Sequence, residues 1–153
     1  MAPTAPMAVD RSYIAENAAE LRRLRTLVER LSDADLARPT PGGWTVASSL
    51  AHVAFWDQRI LFWLDRWERG ESPRGLEEAD VDWINDAGKP LCLALPPRVA
   101  ARLTVEVAEE VDRRLAALTD ERISANKAAG EPLFLTRAHH RKTHLDEIER
   151  VLR

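Results

Sequence analysis

Apolar residues recur at helical spacing over four long stretches of this chain. In the first, Asp10 is placed to cap a helix that carries Ile14, Ala18, Leu21, Leu24 (or Arg25), Val28 and Leu31 on one side, with Glu and Arg on the other. Ser32 to Leu36 suits one further turn, and Arg38-Pro-Thr-Pro-Gly-Gly43 forces a loop. Thr45 caps a second helix that runs to about Arg69, ahead of Gly70. Within it Val53, Trp56, Ile60, Trp63, Leu64 and Trp67 form one apolar stripe, while Ala51, Phe55 and Phe62 form a patch on nearly the opposite face. Such a two-sided helix is central in its bundle or meets another subunit. A homodimer is therefore expected, unless the 79–95 segment covers the patch.

Residues 70–78 read as a connection, and Ala79 to Asp86 as a short helix carrying Trp83. Gly88, Pro90, Pro96 and Pro97 should then interrupt regular structure. From Arg98 to Leu118 the positions Val99, Leu103, Val107 (or Ala108), Val111, Leu115 and Leu118 predict the third long helix. Asp120 to Ala129 is an extension of it or a separate piece, ended by Gly130, and Pro132 suits the first turn of a fourth long helix ending at Leu152. No strand alternation, repeat or low-complexity segment interrupts the pattern. The fold expected is all-α: a four-helix bundle, up-down-up-down, with a short extra helix between the second and third long helices. Residues 1–9 form a disordered lead-in and 10–153 a single domain.

Composition narrows the function. With 153 residues, 45% hydrophobic and 31% charged content and a net charge of -3, the chain suits a cytoplasmic globular domain rather than a binder of nucleic acid. It lacks the run of 18 or more apolar residues needed to span a membrane, so no membrane association is expected. The single cysteine, Cys92, cannot form an internal disulfide and reads as a small buried hydrophobe.

The candidate chemistry lies in histidine. His140 and His144, four apart, stand one turn above each other on a helix, and Leu133, His140, His144, Ile148 and Val151 share a stripe of roughly a quarter turn. His139 falls on the opposite, wet side. His52 sits at the edge of the apolar stripe of the second helix. Neutral imidazole is a good metal ligand, and three inward histidines on two helices are hard to explain by packing alone. If the helices alternate, the second and fourth run parallel, and His52 and His140 lie at similar height, seven residues after Thr45 and eight after Pro132. Arg137, one turn before His140, suits either an anionic substrate or a structural pairing with a carboxylate. Glu147 is a candidate to orient an imidazole or a solvated surface glutamate. Trp56 and Trp63 belong to the core or wall a pocket, and Trp44 is a packing anchor.

Leu31-Ser32 with Leu36, then GGWTVASSLAHVAFWD from Gly42 to Asp57, then HRKTHLDEI from His140 to Ile148 resemble the DinB-like superfamily. That group includes YfiT-like metal-dependent hydrolases and the N-terminal domain of mycothiol-dependent maleylpyruvate isomerases. The resemblance spans nearly the whole chain. It implies a bundle, often dimeric, in which His52, His140 and His144 hold a divalent metal ion, zinc or nickel. It also implies a transferase or isomerase that activates a low-molecular-weight thiol against an electrophile. Lysine occurs only at 89, 127 and 142 among the basic residues, arginine usage that hints at a GC-rich bacterial source and so at mycothiol. Metal-dependent hydrolysis and a non-catalytic, metal-binding or dimerising stress-related module are the alternatives.

Overall fold

The computed structural model describes residues 7–153, and among these it contains seven helices and one small hairpin. Most of the expected lead-in, residues 1–6, lies outside the described residues. Val9 already packs against the core.

Helix α1 spans Ser12–Arg30. It starts one residue later than capping by Asp10 implies, with Arg11 at the cap position, yet the Asp10 carboxylate still accepts from the Ser12 N–H at 2.8 Å. Its inward face is Tyr13, Asn17, Leu21, Leu24 and Leu27, so Ile14 and Ala18 fall to the flank. The polar Asn17 inside that face is what displaced the sequence-based register. A single capped turn, α2 (Asp33–Leu36), follows, and its Ser32–Asp35 capping box explains why so short a piece persists. Two strands of two residues, β1 (Pro39–Thr40) and β2 (Trp44–Thr45), pair antiparallel where only a loop was expected. Gly42 and Gly43 close that hairpin, both at φ +78°, a backbone region open mainly to glycine. Thr40 and Ser49 share a buried hydroxyl hydrogen bond of 3.1 Å that seats the hairpin on the next helix.

Helix α3 (Val46–Glu68) begins as expected, with a capping box between Thr45 and Ser48. Helix α4 (Glu78–Ala94) is twice the expected length and continues through Gly88 and Pro90. Pro90 is exposed, so its ring and the hydrogen bond it cannot make both face solvent. Tertiary contacts hold the rest of α4 in place. Trp56 Nε1 donates to Asn85 Oδ1 at 2.9 Å, Lys89 donates to the Gly42 carbonyl, and Cys92 and Leu95 pack on the core. Helix α5 (Pro97–Ala116) and α6 (Asp120–Ala128, capped by Thr119) match the sequence pattern.

The last helix, α7, is Ala138–Leu152, six residues shorter at its start than Pro132 suggested. Side chains hold the chain out of the helix there. Asn126 binds both the N–H and the C=O of Leu133, at 3.1 and 2.9 Å. Asn17 then donates to Leu135 O at 2.8 Å and accepts from Ala138 N–H at 2.9 Å, capping α7 from another helix.

Helices α1, α3, α5 and α7 pack as a bundle, but its order is up-down-down-up rather than up-down-up-down. Thr104 donates to Leu50 O and Arg114 pairs with Asp65, so α3 and α5 run parallel. Asn17 meets Ala138 while Arg23 meets Asp146, so α1 and α7 are parallel too. Tyr13 donates to Leu115 O and Arg98 to Leu31 O, which makes α1 antiparallel to α5. His52 faces His140 while Asp57 faces Arg137, which makes α3 antiparallel to α7. The physical reason is α4: it carries the chain back along α3, so α5 starts at the same end as α3. The core has two clusters. One joins Leu24, Leu27, Leu36, Val46, Leu50 and Ile148, and the other joins Tyr13, Ile60, Leu64, Val111, Leu115 and Leu133. Among the described residues no helix is long and apolar enough to cross a membrane.

Candidate metal centre

Two backbone anchors set the position of the three histidines. The Thr45 cap places His52 in the second turn of α3, and the Asn17 cap places His140 and His144 in the first two turns of α7. The parallel arrangement expected from sequence does not hold, because α3 and α7 are antiparallel and α7 starts late. The histidines meet nonetheless. His52 Nε2 lies 3.3 Å from His140 Nε2, and ring centroids are 5.2 Å apart for that pair and 4.7 Å for each pair involving His144. One ring nitrogen from each of the three lies within 4.8 Å of the others.

The buried stripe of α7 is Ala138, Arg141, Leu145 and Ile148. The histidines flank it, partly buried at its edge and open to a cleft, rather than packed into the core. His139 is exposed, as its angle on the helix predicted. Burial, with a contribution from His144, lowers the pKa of His52 to about 4. Burial, then His144, Arg137 and His52, lowers that of His140 to about 2. His144 is lowered as well by burial, opposed by Glu147. All three rings are thus neutral near pH 7, with a lone pair available to a metal ion. A tetrahedral ion with bonds of about 2.0–2.1 Å to nitrogen separates its ligand atoms by about 3.4 Å, and the His52–His140 spacing matches that edge. His140 Nδ1 is buried without a hydrogen-bond partner. The donor set fits a divalent metal with positions left for an incoming ligand.

The centre opens into a cleft of about 1490 Å³. Trp44 stands edge-on to His52 at 5.4 Å and Trp56 at 6.5 Å, so these tryptophans line the cleft as well as pack. Trp63 packs with the core, as the stripe predicted. Glu147 also lines the cleft, close enough to His144 to act on its charge. Arg137 is buried, and its Nε donates to Asp57 Oδ1 at 2.7 Å, the structural pairing with a carboxylate. Cys92 lies outside the cleft lining, and burial pushes its thiol pKa up, the opposite of nucleophile activation.

Sequence reasoning missed the group that holds these elements together. Arg141 is fully buried and binds Asp57 at 3.0 Å and Asp112 at 2.7 Å, joining α7 to α3 and α5. The signal existed: Asp57 shares a face with Val53, Ile60 and Leu64, and Arg141 shares one with Leu145 and Ile148. An opposite-charge pair on two apolar faces marks a buried bridge.

A sequence profile described as the DinB superfamily matches residues 17–148. Comparison with curated proteins and with solved structures gives no match.

Proposed function

The chain belongs to the DinB superfamily, and from that premise we propose that it is a metal-dependent transferase or isomerase that uses a low-molecular-weight thiol, mycothiol by preference. His52, His140 and His144 are its metal ligands and zinc or nickel its ion. The observation that carries this reading is the convergence of three neutral imidazoles, within 4.8 Å of one another, on the floor of an open cleft. A divalent ion bound there would supply the Lewis acidity that favours a thiol's nucleophilic, deprotonated form at neutral pH.

The chain's own residues do the rest. The imidazoles act as ligands rather than acid–base groups, because their burial keeps them unprotonated. Trp44 and Trp56 shield one side of the centre from water, and Glu147 offers a carboxylate to His144. Three protein ligands suit an ion that must accept a substrate atom, since closed structural zinc sites have four.

The test is titration of cobalt-substituted protein with mycothiol, bacillithiol and glutathione. A thiolate-to-metal charge-transfer band is expected, absent in His144→Ala and retained in His139→Ala. Elemental analysis should show metal lost in His52→Ala, His140→Ala and His144→Ala alone. Equal metal content in all four variants overturns the ligand assignment. Turnover of esters or amides without thiol points instead to a hydrolase, and metal without thiol response to a binding module.

A further inference from the structure

The cleft continues beyond the histidines along one face of α3. At about 100° per residue, Arg59 returns to the same side of the helix as His52, seven residues and about 10 Å further along, with Trp56 between them. All three line the cleft. The two arginines of the cleft differ. Arg137 is neutralised by Asp57, whereas Arg59 has no carboxylate within ion-pair distance among the described residues. Among the described residues one of its terminal nitrogens donates to the Arg74 carbonyl at 2.8 Å, which steadies the side chain and leaves the remaining donors of its fork free. Asp82 and Asp86, on α4, line the cleft without pairing to it. Partial burial and the nearby Arg137 both disfavour its charge, so an incoming anion there gains more than it would at the surface.

We propose that Arg59 is the specificity-determining anion site of this cleft, and that the substrate is an electrophile bearing a carboxylate. The carboxylate meets the Arg59 guanidinium, and the apolar body lies against Trp56. The reactive carbon extends toward the histidines, whose α3 member His52 lies about 10 Å back along the helix axis. A planar fork and a carboxylate match in geometry, which a lysine would not reproduce. This rests on the reading of the cleft as the substrate site, and its test is kept independent of the metal.

The experiment is calorimetric titration of metal-free protein with 4-phenylbutyrate and with its uncharged amide, so that no carboxylate–metal bond contributes. Wild type should bind the acid about tenfold tighter than the amide, as expected for one charge-assisted contact. In Arg59→Gln that ratio should fall to near one, with the thermal midpoint and metal content unchanged. Equal affinity for acid and amide in wild type, or a ratio that survives in Arg59→Gln, overturns the proposal. Loss of metal binding in the histidine variants, measured separately, bears on the metal reading alone.

Discussion

Each imidazole of the centre sits where a proton is hard to keep, and that has a consequence for stability even without metal. The folded pKa values of His52 and His140, about 4 and about 2, lie below the ordinary 6.5. Between those limits the unfolded chain binds more protons than the folded one, so stability falls as pH falls. Urea unfolding of the metal-free protein should therefore show full stability above pH 7. By pH 5 the loss should be on the order of 2 kcal/mol for each of these two histidines. His52→Gln should flatten part of that slope, and an unchanged midpoint between pH 7.5 and 5 would contradict the buried, neutral state. The Asp57–Arg141–Asp112 bridge differs in kind. With Arg137 also on Asp57, two arginines balance two aspartates, so the network fixes the relative position of α3, α5 and α7 more than it adds net stability.

The elements that were legible in the sequence are those whose ends carry their own chemistry. Thr45 with Ser48, Thr119 and the Pro96-Pro97 pair mark where α3, α6 and α5 begin, and these starts agree to within a residue or two. The start of α7 was illegible because its cap comes from Asn17 on α1, 121 residues away, a distance that local periodicity does not see. For α4 the error ran the other way: Gly88 and Pro90 are poor helix residues, and contacts with Trp56, Gly42 and the core outweigh them. The histidine positions survived both errors, since an i, i+4 pair needs only a local helix to share a face. Arg59 went unnoticed because an arginine in an amphipathic helix normally reads as solvent-facing. Asn126 tests the account of the irregular 131–137 segment. Asn126→Ala removes both bonds to Leu133 from a buried site and should cost roughly 1–3 kcal/mol in urea unfolding, with helix content unchanged. A loss below a few tenths would mean that the segment is held by packing alone.

At the scale of the molecule, the four bundle helices were readable but their directions were not, because direction depends on how far a connection travels. The 79–95 segment became a crossover helix on the Trp56 side of α3 and left Phe55 and Phe62 about half exposed, at 47% and 46%. We propose a second copy as the partner for this face. Light scattering of the wild type should give a dimer mass, and Phe62→Glu should shift it toward monomer with the same circular dichroism; a monomer at millimolar concentration would exclude the dimer. The spacing of the three candidate metal ligands along the chain bears on how a metal-loaded form would be made. His52 and His140 stand 88 residues apart in sequence, and only the last helix supplies the second and third donors. During synthesis α3 would carry a single imidazole of the cluster until α7 had emerged and docked, so a three-histidine site would form only at the end. An ion held by all three would close an 88-residue loop and restrain the unfolded chain much as a cross-link would.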